Sequence, residues 1–317
     1  MKKEIVFFEV DPKDQEKIKE HFPEAKIEEG VPSEKEIVDR YSQAEILCPF
    51  IYTKISARVI EALPNLKMIV TRSVGYDHID LKAAQKKGII ICNVPDYGSH
   101  VIAEHVFALL LSAVRHVREA DERVEGNKYD FHGLRGMALK GKTLGIIGTG
   151  KIGCDVARIA SMGFLMKVLA FDPYQNPDAA LENHFSYTTL EEIWRQSDVI
   201  SLHVPLLPQT KHMINEESIS KMKDGVVIIN TARGGIIKEQ DLVHALKAKK
   251  VAAAALDVLE DERNLEVEQE LIKIPQAITT PHIAFYADDS VNKMYEEAFS
   301  SISSFIAGKK IHNQVSL

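Results

Sequence analysis

Short β-branched runs separated by amphipathic stretches recur along the whole chain, and this alternation restricts the fold more than any other feature. Apolar runs at 4–10, 45–50, 67–71 and 88–94 read as buried strands, with helical patterns near 12–21, 33–42, 54–62 and 80–86 between them. Buried strands joined by crossover helices imply a parallel sheet covered by helices on both faces.

The alternation is interrupted once, by a helical pattern over 99–125. There Ala103, Val106, Leu110 and Ala113 repeat on one face, and Phe107, Leu109 and Leu111 make the pattern apolar nearly all round. Such a helix needs burial on more than one side, against a domain or a second subunit. The strand series then resumes at 143–148, 167–172, 198–204, 225–230, 252–258 and 277–280, and a last helical stretch covers 287–307. A chain of 317 residues exceeds one ordinary core. The economical reading is an α/β protein of two doubly wound parallel-sheet domains, one of 1–98 and 288–317, the other inserted at 99–287.

Composition removes several classes. Apolar residues make up 45% and charged residues 27%, with a net charge of −7 and no basic cluster of the kind nucleic acid or lipid headgroups attract. No stretch approaches the 18 or so apolar residues of a membrane-spanning helix, and the N-terminus reads as a strand rather than a leader. Cys48, Cys92 and Cys154 are far apart in apolar segments, as reduced structural thiols of a cytoplasmic protein are; no metal site is expected.

Residues 148–153 read GTGKIG, directly after the strand TLGIIG and at the start of a helical pattern. In a strand–turn–helix unit Gly148 makes the tight turn, Gly150 lets a pyrophosphate approach the backbone, and Gly153 brings helix and strand together. The following strand ends in Asp172, where a carboxylate can accept both ribose hydroxyls of an adenosine. That carboxylate repels a 2′-phosphate, and Pro173, Tyr174, Gln175 and Asn176 supply no arginine to receive one, so NAD is favoured over NADP.

Three more segments sit at predicted strand ends: INTARGG (229–235), ALDVLEDE (255–262) and TPHIAFY (280–286). With GTGKIG, Asp172 and HVP (203–205), their order and spacing resemble the D-isomer-specific 2-hydroxyacid dehydrogenases, a likeness running from Arg72 to Tyr286. The resemblance implies a Rossmann NAD domain inserted into a flavodoxin-like substrate domain, and hydride exchange between a small 2-keto acid and its D-2-hydroxy acid. Such a substrate needs a fixed cation for its carboxylate, and the planar guanidinium of Arg233 makes the two-pronged pair. Carbonyl reduction needs a proton donor, and His282 is the candidate, held by the carboxylate of Glu262. Glu260 and Asp261 are rivals for that partnership. A glutamate here also argues against formate dehydrogenase, a relative with glutamine at this place.

The resemblance further assigns backbone N–H groups of Lys151 and Ile152 to the pyrophosphate. Val204, Pro205 and Thr210 would line the adenine and phosphate side, Thr231 and Ala232 the nicotinamide side, and Asp257 would accept from the carboxamide. In RSVGYDHID (72–80), the N–H groups of Val74 and Gly75 would hold the substrate carboxylate. Tyr97 and the AFY of 284–286 resemble the D-lactate dehydrogenase subgroup, where Phe285 and Tyr286 would wall a pocket sized for pyruvate. The rivals are a hydroxypyruvate, glyoxylate or phosphoglycerate dehydrogenase, for which Arg72 is an available cation, and a non-catalytic NAD-sensing corepressor. The apolar helix over 99–125 is expected at the two-fold contact of a homodimer.

Overall fold

The computed structural model describes residues 3–266 and 269–315. The chain divides into two compact units, Met1–Tyr97 with Ala287–Leu317, and Gly98–Tyr286.

The first unit carries strands β1 (Ile5–Phe7), β2 (Lys26–Ile27), β3 (Ile46–Cys48), β4 (Met68–Val70) and β5 (Ile90–Cys92) in one all-parallel sheet of order β2-β1-β3-β4-β5. This is the flavodoxin-like order, with its reversal between β1 and β3. Helices α1 (Gln15–His21), α2 (Glu34–Arg40), α3 (Ala57–Ala62) and α4 (Leu81–Lys86) make the crossovers. Local chemistry fixes their starts: Ser33 and Glu36 form a reciprocal capping box, and Asp80 accepts from the Ala83 N–H at 2.9 Å. β1, β3 and β4 are wholly buried, as expected of strands covered on both sides. Cys48 lies in β3, where burial pushes its thiol up to about 12.

The second unit carries β6 (Thr143–Ile147), β7 (Lys167–Phe171), β8 (Ser186–Tyr187), β9 (Val199–Leu202), β10 (Val226–Asn230), β11 (Val251–Leu256) and β12 (Ala277–Thr279). Its order, β12-β11-β10-β9-β6-β7-β8, is all parallel and reverses between β6 and β9, as in a Rossmann domain. Its helices are α5 (Ser99–Val114), α6 (Val117–Glu125), α7 (Lys151–Arg158), α8 (Pro177–Glu182), α9 (Leu190–Gln196), α10 (Glu216–Lys221), α11 (Glu239–Lys247) and α12 (Gln269–Ile272). The last helix, α13 (Asp288–Ile306), returns to the first unit, where Phe299 packs edge-on against Phe7 and Phe22 at ring separations of 6.0 and 5.4 Å. Beyond it the chain lies against β5: Gln314 pairs antiparallel with Cys92, and the Val315 N–H donates to the Ile91 carbonyl at 2.9 Å. The otherwise open edge of that sheet is thereby covered.

The helix expected over 99–125 is two helices, bent by 61° where His116 adopts a left-handed φ of +53°. The all-round apolar character belongs to α5 alone, and the second unit itself covers it. Val106, Phe107, Leu110 and Ala113 join Ile146, Val156, Ala157, Ile229 and Ala255 in one core, and Phe107 stacks on Phe164 at 5.0 Å. A second subunit is therefore not needed to bury that helix, which removes the reason for placing a dimer contact on Phe107. In α6 no residue is buried. β2 and β8, two residues each, escaped the sequence reading because they lack the apolar run of a central strand.

Candidate active site

Every motif singled out in the second unit lies just beyond the C-terminal end of a strand. Read across the sheet from β12, the sequence is His282, Asp257, Arg233, Val204, the 148–153 turn and Asp172, following β12, β11, β10, β9, β6 and β7. At roughly 4.8 Å per strand this row is about 24 Å long, the scale of an extended dinucleotide.

At the glycine turn Gly148 has φ +98°, and a Cβ there would stand 2.6 Å from the His203 carbonyl oxygen. A Cβ on Gly153 would stand 2.1 Å from the Gly148 oxygen, so both positions exclude any side chain. A Cβ on Gly150 would meet nothing within 4 Å. That glycine is instead the N-cap of α7, whose leading N–H groups, on Lys151 and Ile152, receive no side-chain cap. An open, uncapped helix start is what a pyrophosphate requires. Asp172 faces this turn: its Oδ2 accepts from the Thr149 N–H at 2.7 Å and its Oδ1 from the Tyr174 N–H at 2.8 Å. Val204 borders the turn, 3.0 Å from a Cβ built on Gly148, and Pro205 is exposed beyond it. The Thr210 hydroxyl donates to the Pro205 carbonyl at 2.6 Å and accepts from the Leu207 N–H at 2.8 Å, closing the loop. Thr231 has a buried Oγ1 with no hydrogen-bond partner among the described residues.

Arg233 is presented by a turn that Asn230 shapes. The fully buried Asn230 side chain accepts from the Ala232 N–H at 3.0 Å and donates to the Arg233 carbonyl at 2.8 Å, while Arg233 Nη1 donates to the Ala232 carbonyl at 2.8 Å. Gly234 then meets the acidic segment: a Cβ there would stand 1.9 Å from the Leu259 oxygen. The first glycine of ARGG is thus what lets 257–262 lie against the Arg233 turn.

Within that segment the three acidic rivals separate. Glu260 pairs with His212 Nε2 at 2.6 Å, and Asp261 accepts from the Arg263 N–H at 3.3 Å. Glu262 Oε2 lies 2.9 Å from His282 Nδ1, with side chains 19% and 14% exposed. His282 itself has a left-handed φ of +55°, a conformation a non-glycine residue holds only when its surroundings enforce it. The enforcing group is Asp257, only 1% exposed. Its two carboxylate oxygens accept from the Ile283 N–H at 2.9 Å and the Ala284 N–H at 2.8 Å, and its Oδ1 also accepts from the Thr280 hydroxyl at 2.5 Å. Its backbone carbonyl accepts from the His282 N–H at 2.8 Å. Burial raises the Asp257 carboxyl, but hydrogen bonds from His105, Thr280, Ala284 and Ile283 outweigh it and hold it below the ordinary range. The Asp257 side chain has no exposed surface, and its carboxylate holds the turn that carries His282. His105, 3.2 Å from the Thr280 hydroxyl, supports the same turn and was not singled out in the sequence. Phe285 stands edge-on to the His282 ring at 6.5 Å. Among the described residues no three His, Cys, Asp or Glu side chains group as metal ligands.

In the first unit, the 73–75 loop is fixed through its carbonyls. Ser73 O accepts from the Val94 N–H at 3.0 Å, Val74 O from Asn93 Nδ2 at 2.8 Å, and Gly75 O from the Ser73 hydroxyl at 2.6 Å. No acceptor among the described residues takes the N–H of Val74 or Gly75. Tyr97 closes the same unit's first segment, only 6% exposed. Arg72 cannot serve an external phosphate. It is 1% exposed, and its guanidinium donates to the Tyr295 hydroxyl at 2.7 Å and to the Phe8 and Glu9 carbonyls.

A Rossmann sheet whose strand ends carry this turn, an Asp172 bonded to it and a carboxylate–imidazole pair defines an NAD-dependent dehydrogenase. Residues 107–284 match the family model of the NAD-binding domain of the D-isomer specific 2-hydroxyacid dehydrogenases, and the chain belongs to that family. It is 37% identical over 298 residues to a glyoxylate reductase of Korarchaeum cryptofilum, covering 92% of this chain and 89% of that protein. Other relatives are named hydroxypyruvate reductase and D-3-phosphoglycerate dehydrogenase. The solved D-lactate dehydrogenase of Escherichia coli matches 99% of this chain and 100% of its own at 33% identity and a TM-score of 0.87. That of Aquifex aeolicus, complexed with NAD and lactic acid, matches 96% of each chain at 36% identity and a TM-score of 0.87.

Proposed function

We propose that the enzyme reduces pyruvate to D-lactate. In this reading Arg233 pairs with the substrate carboxylate, and the N–H groups of Val74 and Gly75 are the first unit's candidates for binding a carboxylate. Bound NADH supplies a hydride to the carbonyl carbon. As the C=O π bond opens, His282 gives the proton on Nε2 to the oxygen, while Glu262 on Nδ1 orients the ring and balances its charge. The 2.9 Å Glu262–His282 contact is the observation that carries the acid–base assignment.

The choice of pyruvate rests on two observations. Arg72, the cation that could have met a substrate phosphate, is buried and already committed, which disfavours phosphoglycerate. The Phe285 ring beside His282 offers an apolar wall suited to a methyl group. The Aquifex aeolicus neighbour, solved with lactic acid, supports the same choice. The test is NADH oxidation with pyruvate, 2-ketobutyrate, phenylpyruvate, glyoxylate and hydroxypyruvate. Pyruvate should give the highest kcat/KM; a higher value for hydroxypyruvate or glyoxylate would overturn the assignment.

A homodimer in the cytoplasm completes the reading. Its support is no longer α5 but the segment after α6, where Tyr129 is 96% and Phe131 79% exposed. Close by is a cavity of about 750 Å³ bordered by residues such as Ala113, His116, Gly136 and Pro275. Free Cys48, Cys92 and Cys154 suit a reducing compartment.

A further inference from the structure

Glu9 follows β1 and has a left-handed φ of +55°, a conformation that favours glycine. Its side chain explains why glutamate is there. Oε2 accepts from the Tyr52 N–H at 2.9 Å and Oε1 from the Thr53 N–H at 2.7 Å, so one carboxylate caps two successive peptides of the segment leaving β3. The same residue's backbone carbonyl accepts from Arg72 Nη2 at 3.1 Å, and Arg72 leaves β4 immediately before the 73–75 loop. Arg72 also contacts the start of the segment after β3 and a tyrosine of α13. Its N–H donates to the Pro49 carbonyl at 3.0 Å, and its guanidinium lies over the Phe50 ring at 5.5 Å and the Tyr295 ring at 5.0 Å.

These contacts converge where the order β2-β1-β3-β4-β5 reverses, between β1 and β3. That is where an open α/β sheet takes its ligand, beyond the carboxyl ends of the strands. The segment held by Glu9 presents Phe50, Ile51 and Tyr52, an apolar run beside the loop whose N–H groups would take a carboxylate. Distance between the 50–53 segment and the 73–75 loop fixes how large a substituent fits next to that carboxylate.

We propose that Glu9 is a positioning residue for substrate selection: with Arg72 it locks the 50–53 segment at a set distance from Val74 and Gly75 and so limits side-chain length. The inference rests on the assignment of a 2-keto acid substrate. It makes no contact between Glu9 and substrate, and the price of the left-handed backbone is met by the two capped peptides.

The test compares wild type with Glu9→Gly and Glu9→Gln on the keto-acid panel, together with NADH affinity from fluorescence titration and thermal unfolding. Glu9→Gly suits the left-handed backbone and removes only the clamp, so it should fold with a Tm within a few degrees of wild type. Both variants should lose about tenfold in kcat/KM for the preferred small acid, carried by KM. The ratio of phenylpyruvate to pyruvate efficiency should rise at least about fivefold, with NADH affinity unchanged. A Glu9→Gly enzyme with the wild-type ranking of substrates would overturn the proposal, as would a loss of Tm in both variants without a change in that ranking. A wild-type enzyme inactive on every keto acid would instead refute the substrate assignment, and the clamp with it.

Discussion

Nδ1 of His282 and Oε2 of Glu262 stand 2.9 Å apart although 20 residues separate them, because Gly234 and Asp257 seat the two turns that carry them. His282→Ala should therefore lower kcat by on the order of 10²–10⁴ and leave NADH affinity within about twofold. Glu262→Gln should lower kcat in the same direction by less, and Arg233→Lys should raise KM by at least about tenfold, since an ammonium cannot form the two-pronged pair. Steady-state kinetics with an NADH titration check all three; full activity in His282→Ala would mean that another group donates the proton.

Gly234→Ala places a methyl where the Leu259 oxygen already stands, at 1.9 Å. The 257–262 segment must move away from Arg233. The expected result is a loss of kcat/KM of about a hundredfold or more in a folded protein, because a displacement near 1 Å at a reacting centre costs that much. Circular dichroism beside the assay separates this from unfolding.

Asp172 meets the glycine turn with both oxygens oriented by Thr149 and Tyr174. NADH should support at least about tenfold higher kcat/KM than NADPH, a difference of roughly 1.4 kcal/mol. Equal use of the two cofactors would show that the carboxylate does not face the 2′ position.

Burial pushes the His203 imidazole down to about 4, with Nε2 2.8 Å from the Ser201 hydroxyl. Above pH 6.5 the ring is neutral in folded and unfolded chains alike and contributes no pH dependence. As pH falls from about 6.5 toward 4 the unfolded chain takes up a proton that the folded one refuses, so stability falls. The loss approaches about 3 kcal/mol once pH is below 4. Urea unfolding at pH 7.5 and pH 5 should show a smaller drop in His203→Gln than in wild type; identical drops would place the titrating group elsewhere.

The homodimer is a proposal, and the exposed Tyr129 and Phe131 are where its contact is sought. The wild-type protein should scatter light as a dimer of about 71 kDa, twice the 35.5 kDa chain, at micromolar concentration. Tyr129→Glu with Phe131→Glu should shift it toward monomer without loss of secondary structure. A wild-type monomer would refute the assembly, and a doubly substituted dimer would move the contact away from this segment.

Much of this was legible in the sequence because it depends on local chemistry. The glycines of 148–153, the acidic residue after β7 and two parallel sheets follow from pattern and spacing, whereas the Rossmann and flavodoxin-like sheet types came from the family resemblance. Glu262 could be favoured over Glu260 and Asp261 only by resemblance; the His212 pairing that removes Glu260 joins residues 48 apart in sequence. The bonds that hold the Asp257 and Thr210 side chains were not legible for one reason. Motif position says which strand end a residue occupies, whereas the direction of its side chain depends on which N–H groups the neighbouring turn leaves unsatisfied. The break at His116 was invisible because the apolar pattern of α5 fades into α6 without a proline or glycine. Asn230 and Glu9 escaped notice because a side chain that bonds to distant backbone leaves no periodic signature.

The covering of β5 by residues 313–315 has a consequence for how the protein is made. The Gly98–Tyr286 unit is continuous, so on the ribosome it can complete its own sheet as soon as it has emerged. The flavodoxin-like sheet emerges first yet finishes last, since α13 and the strand-edge segment are translated only after the whole inserted unit. Until then Phe7, Phe22 and the β5 edge stay uncovered, and this half of the enzyme is the one a nascent-chain chaperone would be expected to hold.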